Sequence, residues 1–127
     1  MIANGRPLYF FLSLSALAMA QQPGTFTRTG SMTESRVGYS ATLLPNGKIL
    51  IAGGQDAAEF PLASAELYDP STGLFSPTGS MTEARGSNIA TLLPDGRVLI
   101  AGGAFPHVSS VELYDPVTAP LPRPQTC

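Results

Sequence analysis

The stretch that decides the fold is residues 41–54, which read ATLLPNGKILIAGG and return at residues 90–103 as ATLLPDGRVLIAGG. A second segment recurs in the same order, because the GSMTE of residues 30–34 returns at residues 79–83. Both copies lie 49 residues downstream (30 to 79, 41 to 90). A period near 50 residues predicts stacked or radially arranged units, each of which needs its neighbour to cover an apolar face.

Each copy of this stretch predicts a β-hairpin. Short apolar runs flank Asn46-Gly47 in the first copy and Asp95-Gly96 in the second, and both dipeptides accept the positive φ of a tight turn. The run 49–51 is apolar at every position, as expected of a strand that is covered on both faces. The double glycines that follow (Gly53-Gly54 and Gly102-Gly103) indicate that another backbone approaches closely where the strand ends.

Two further strands complete the unit. The ELYDP of residues 66–70 returns at residues 112–116 and predicts a third strand that ends at Asp-Pro. Residues 74–78 predict a fourth, in which Pro77 suits an outer edge because proline has no N–H to donate. The sequence therefore predicts an all-β chain with two propeller-like blades of antiparallel strands, blade one at 38–78 and blade two at 87–115.

These residues resemble the kelch repeat. That family pairs a double glycine with a later tyrosine and tryptophan, which here correspond to Gly53-Gly54, Tyr68 and Phe75, with phenylalanine in place of tryptophan. Phe26 takes the same place in a partial first unit, and the resemblance extends over residues 24–116. It implies a kelch-like β-propeller, which is incomplete because about two blades are present where closed propellers have about 4–8.

The two ends of the repeat region do not match each other. Residues 24–29 align with 73–78 and predict an outer strand without a blade of its own, whereas the tail 117–127 has proline at positions 120, 122 and 124. Copies of the chain would complement each other at these ends, so the sequence predicts a ring-forming homo-oligomer, with three copies supplying six blades. A truncated gene product is the alternative.

The first twenty residues lie outside the repeat. Arg6 is followed by an apolar run at residues 8–17, and Ala18-Met19-Ala20 offers small residues ahead of polar Gln21. This order is typical of a secretory signal peptide, and the run is too short to span a bilayer comfortably. The sequence therefore predicts a signal peptide at 1–20 and a secreted or periplasmic protein, with an uncut anchor as the alternative.

Composition argues against several classes of partner. Seven Lys and Arg stand against nine Asp and Glu, for a net charge of −2. Since nucleic acids and anionic membranes attract clustered basic residues, we expect neither as a partner of the chain after cleavage. The single cysteine, Cys127, excludes an intrachain disulfide, and its role is open.

The sequence contains no recognised catalytic motif, and we expect neither an enzyme nor a cofactor. His107 is the single histidine, so no histidine pair exists for a metal site. Asp56 and Glu59 do not recur in the second repeat and lack the spacing of a calcium loop, so a solvated loop is the simpler interpretation.

Candidate binding residues lie in the loops, which carry function in repeat scaffolds. The loops at 30–37, 55–62, 79–86 and 104–108 are expected to open on one face. We interpret this chain as an interaction module for protein or glycan; the alternatives are a truncated scaffold fragment of a larger secreted carbohydrate-active enzyme (oxidase or lyase) and a disrupted gene. Arg36 and Arg85 recur, which indicates either carbonyl contacts between blades or ligand recognition. The further candidates are Phe60, Phe105 and His107.

Export is directly testable. If residues 1–20 are a signal peptide, mass spectrometry of the protein outside the cell finds an amino terminus at Gln21, with or without cyclisation to pyroglutamate. A mature protein that retains Met1 would overturn the prediction.

Overall fold

The computed structural model describes residues 22–104 and 107–117. The predicted signal peptide, Phe105 and the tail from residue 118 to Cys127 lie outside the described residues. The described chain is all-β, without a helix, and forms seven strands. In chain order they are β1 (Ser40–Leu43), β2 (Ile49–Ala52), β3 (Ala65–Asp69), β4 (Leu74–Pro77), β5 (Ile89–Leu92), β6 (Val98–Ala101) and β7 (Val111–Tyr114).

The strands form two antiparallel sheets, which confirms the predicted blades. The first has the order β1-β2-β3-β4 and the second the order β5-β6-β7. Both hairpins close in the same way, because the N–H of Leu44 donates to the carbonyl of Lys48 and that of Leu93 to the carbonyl of Arg97, each at 2.8 Å. Gly47 has a φ of 85°, as the Asn-Gly turn requires. Two sheets of four and three strands are part of a propeller and do not close one.

The apolar core lies between the two sheets. Leu50, Ala52 and Ala65 of the first sheet share one buried cluster with Val98 and Ile100 of the second, and none of these side chains is more than 4% exposed. Because side chains alternate between the faces of a strand, the residues next to them point away from this core. The partly buried side chains that border the cluster are Leu67, Met81, Ala90 and Tyr114.

The double glycine is the place where the two sheets meet most closely. Gly53 has a φ of 66°, and a Cβ there would lie 2.5 Å from the carbonyl oxygen of Arg85. The N–H of Gly54 donates to that same oxygen at 2.8 Å. Asn88, which is buried, adds a bond from Nδ2 to the carbonyl of Ala52 (3.2 Å), while its Oδ1 has no partner in the described chain. The close backbone approach predicted at this glycine pair is confirmed.

Phe75 lies on the outer face of the first sheet. It lies opposite Tyr68, on the face of the first sheet that points away from the second, and its ring centroid is 4.8 Å from that of Tyr68. It therefore does not lie in the interface between the two described sheets. The repeat pattern alone does not reveal which face of β4 turns toward the next sheet.

Residues 24–29, predicted as an outer strand, belong to neither sheet in the described chain. Phe26 is fully exposed. The segment is anchored at its end, where the N–H of Gly30 donates to the carbonyl of Gly73 at 2.9 Å and the hydroxyls of Thr29 and Tyr68 share a hydrogen bond of 2.9 Å. The segment thus begins beside the first sheet without pairing with it.

The core assignment predicts unequal effects at two leucines of the first hairpin. Leu50 is 1% exposed and Leu43 is 62% exposed. We expect Leu50→Ala to lower the free energy of unfolding by about 2–5 kcal/mol, because it leaves a cavity between the sheets. Leu43→Ala serves as the control and should cost far less. Urea denaturation of both variants is the measurement, and equal losses would contradict the packing described.

Candidate functional site on the loop face

The loops at one end of the sheets are hydrogen-bonded into a single surface, here called the loop face (residues 30–38, 53–64, 79–88, 102–104 and 107–110). The N–H of Arg85 donates to Leu62 (3.0 Å), that of Ser87 to Gly38 (2.9 Å) and that of Ala104 to Gly86 (2.8 Å), in each case at the carbonyl. The expectation that these loops open on the same face is confirmed. The surface is held by backbone contacts between segments that are distant in sequence.

The side chain of Arg36 points inward, beneath the surface of the loop face. Its Nη1 donates to the carbonyls of Gly53 (3.0 Å) and Ser64 (2.9 Å), and its Nε donates to Glu66 (3.0 Å). Its Nη2 donates to Glu34 at 2.9 Å. The side chain has no exposed surface, so the guanidinium is fully engaged within the first sheet.

Arg85 repeats this arrangement in the second sheet. Its Nη1 donates to the carbonyls of Gly102 (3.0 Å) and Ser110 (2.8 Å), and its Nη2 donates to Glu112 (2.9 Å). The interpretation that these arginines bind carbonyls is therefore right, but the carbonyls belong to one blade and not to two. Neither guanidinium presents a surface to a ligand in the described chain.

The glutamate partners were missed by sequence reasoning. Glu66 is 1% exposed and accepts hydrogen bonds from the N–H and the hydroxyl of Thr33, each at 2.7 Å. Glu112 accepts from the N–H of Thr82 at 2.7 Å. The available signal was that Thr-Glu, Arg and Glu-Leu-Tyr recur together in both repeats. A buried guanidinium that recurs needs an anion that recurs with it.

The hydrogen bonds keep both carboxylates ionised. Burial alone would raise the pKa of Glu66, but the bonds from Thr33 and the charge of Arg36 together lower it below its ordinary value. The pKa of Glu112 is lowered in the same way, against the effect of burial, by Thr82 and Arg85. A lowered pKa in the folded state means that these groups stabilise the fold above the ordinary glutamate value of about 4.3. That stabilisation is lost as the pH falls through the lower folded-state pKa.

The loop 55–62 displays Phe60 to solvent. One carboxylate oxygen of Asp56 accepts from the N–H groups of Ala58 (2.9 Å) and Phe60 (3.0 Å), and the N–H of Asp56 donates to the carbonyl of Phe60 at 2.9 Å. Gln55 bridges to Val37 on one side and to Pro61 on the other. The hydrogen bonds of the loop backbone are thus formed within the loop and to its neighbours. The Phe60 side chain is 67% exposed and does not pack beneath the loop.

The equivalent loop of the second repeat is described in part. His107 is exposed, and the N–H of Val108 donates to the carbonyl of Gly103 at 3.3 Å. Phe105 lies outside the described residues. Asp56 and Glu59 serve the first loop itself, since the Asp56 carboxylate caps backbone N–H groups and the Glu59 carbonyl accepts from Gln55 (3.2 Å).

The loop face exposes apolar side chains next to Gln55. Its arginines are buried and paired, while the exposed side chains beside Gln55 include Val37 and Phe60. No group of three or more His, Cys, Asp or Glu that could hold a metal ion occurs within residues 22–104 and 107–117. In the same part of the chain, no helix has the length and apolar character needed to cross a membrane.

Comparison with known families agrees with this architecture. The model of the Kelch motif matches residues 36–82. The chain carries a kelch repeat. The matched kelch segment begins at buried Arg36, contains the whole first sheet, and ends in the crossing toward the second. No curated protein matches the chain. Kelch repeats are interaction scaffolds, and here the scaffold part consists of the paired sheets and their buried arginines.

The buried ion pair of the kelch repeat predicts a large effect from a single truncation. Arg36→Ala leaves the Glu66 carboxylate buried without its cation, and we expect a loss of about 3–5 kcal/mol in the free energy of unfolding. Arg97→Ala is the control, because Arg97 and Asp95 form a surface pair at 2.7 Å with 42% and 50% of their side chains exposed; it should cost far less. Thermal or urea unfolding measures both, and similar losses would contradict a structural role for Arg36.

Proposed function

We propose that the chain is a non-catalytic interaction module, exported to the periplasm or the medium, that binds a protein or a glycan through its loop face. Phe60 is the central contact in this proposal. Phe105 and His107 contribute from the equivalent loop of the second repeat. The kelch repeat supports the interaction role, and the leader-like sequence of residues 1–20 supports export.

The observation that carries the proposal is the exposure of Phe60 on a loop that needs no partner to hold its shape. Asp56 and the Gln55 bridges fix the backbone on both sides of the phenylalanine. An aromatic side chain on a preformed loop loses little conformational freedom on binding, which favours affinity. Aromatic residues of this kind dominate the binding energy of many interfaces.

The charges that the loop face exposes are carboxylates. The guanidinium groups nearest the loop face are turned inward, where each pairs with glutamate. The side chains of Glu34 and Glu83 remain 47% and 52% exposed. Glu59 is exposed next to Phe60, so a ligand meets the aromatic ring beside negative charge. A peptide side chain or the apolar face of a sugar ring both suit such a surface, because aromatic rings stack on either.

The test begins with the chain itself as the probe. A photo-crosslinking amino acid replaces Phe60, and the labelled chain is exposed to the exported proteins of the source cell and to a glycan array. The matched control carries the same amino acid at Asn46, in the hairpin turn at the opposite end of the sheet. Adducts that form from position 60 and not from position 46 identify the ligand and support the proposal.

Phe60→Ala then gives the quantitative prediction. Loss of an aromatic anchor worth about 2 kcal/mol lowers the affinity for the ligand so identified by about 30-fold. The melting temperature should stay unchanged, because the ring is largely exposed. Calorimetric titration measures the affinity. Unaltered affinity, or adducts that form from position 46 alone, would sink the assignment of function to the loop face.

A further inference from the structure

The second sheet has an apolar face that nothing covers in the described chain. Val111 is 53% exposed, whereas Ala65, its counterpart in the first sheet, is 4% exposed against the core. Ile89 and Leu113 on the same face are exposed as well. The second sheet therefore has an open side, turned away from the first sheet. A further sheet of the same kind would cover it.

A groove of about 380 Å³ marks the edge of the second sheet beside Tyr114. Tyr114 corresponds to Tyr68, whose ring is covered by Phe75 of the fourth strand. The second sheet has three described strands, so the groove occupies the place where a fourth strand would bring its aromatic side chain. Its lining includes Ala65, Met81, Ile100, Glu112 and Tyr114.

The sequence that follows β7 cannot repeat the hydrogen bonds of β4. In the first sheet Ser76 lies opposite Leu67, and the N–H of Thr78 donates to Ala65 at 3.1 Å. Bonded pairs alternate along antiparallel strands, so both positions are donors. Tyr114 lies 46 residues after Tyr68, and with the same offset Ser76 and Thr78 correspond to Pro122 and Pro124. Proline has no N–H, so a fourth strand built from this sequence would lack both hydrogen-bond donors.

Residues 24–29 have every property that the groove requires. In their alignment with residues 73–78, Phe26 takes the place of Phe75, and Thr27 and Thr29 supply the N–H donors of Ser76 and Thr78. Arg28 takes the place of Pro77, which lies opposite Glu66. In a second sheet the residue opposite would be Glu112, so the contact also joins opposite charges.

In its own chain this segment lies beside the first sheet and does not line the groove. The hydroxyls of Thr78 and Tyr114 form a hydrogen bond of 3.0 Å where the chain passes from the first sheet to the second. The hydroxyls of Thr29 and Tyr68, at the equivalent positions of the preceding repeat, form a hydrogen bond of 2.9 Å. Residues 24–29 therefore stand where the outer strand of a preceding sheet would stand, at the opposite end from the groove.

We propose that the groove beside Tyr114 is an acceptor site for residues 24–29 of a second copy of this chain, with Phe26 packed on Tyr114 as Phe75 packs on Tyr68. The contact is head-to-tail, so it closes when copies form a ring. Three copies contain six blades, which is within the range of closed propellers. Each copy completes the second sheet of its neighbour and covers its open apolar face.

Disulfide trapping tests the register. In the full chain with Cys127→Ser, the pair Thr27→Cys and Leu113→Cys brings two Cβ atoms to about 4.5–5.5 Å across the ladder and leaves Phe26 and Tyr114 in place. Mild oxidation should give products of two or more chain masses on a non-reducing gel. The control pair, Arg28→Cys with Leu113→Cys, places its thiols on opposite faces and should stay at one chain mass. Equal products from both pairs, or none from the first, would overturn the proposal.

Light scattering tests the assembly without new thiols. The full chain, expressed with its leader and purified in the form that the cell produces, should have a discrete mass of three chains at micromolar concentration. Phe26→Asp should reduce it to one chain with an unaltered far-ultraviolet circular dichroism spectrum, because this side chain is fully exposed in the single copy. Phe26→Leu should keep the larger mass. A wild-type mass of one chain, or particles without a discrete size, would refute the ring.

Discussion

A single sheet of this protein cannot cover its own apolar face, and the rest of the structure follows from that constraint. The first sheet buries Leu50, Ala52 and Ala65 against the second. The contact is close because the Gly53-Gly54 corner lets the Arg85 backbone bond directly to it. Apolar burial supplies most of the stabilisation of such a joint, while the hydrogen bonds fix where along the strands the sheets meet.

The hairpins could be predicted from the sequence because their signals are local. Asn46-Gly47 and its copy specify a turn, and the double glycine specifies a close approach, whatever the rest of the chain does. The partners of Arg36 have no such local signal, since Glu66 lies 30 residues away. Only the joint recurrence of the arginine and the glutamate in both repeats points to the pair. The face on which Phe75 lies and the exposure of Phe60 depend on how loops and sheets pack, which propensity does not encode.

The two repeats share their buried supports and differ in their exposed loops. Both sheets contain a buried arginine that binds backbone carbonyls and a glutamate. In each sheet this arginine ties the segment before the first strand to the end of the second strand. The loops after β2 and β6 differ in length and sequence. Identical supports beneath dissimilar loops allow the contact surface to change without altering the fold. The loop that presents Phe60 is the variable part of the molecule in this sense.

Asn88 gives the joint between the two sheets a hydrogen bond that the proposed joint between copies would lack. Its amide reaches the Ala52 carbonyl of the preceding sheet, whereas the first repeat has Tyr39 at the corresponding position. A tyrosine side chain at that position cannot reproduce the hydrogen bond that the Asn88 amide group donates. The two kinds of joint would therefore differ in strength. Under dilution or mild denaturant a ring of the proposed kind would therefore come apart into intact two-sheet chains before those chains unfold.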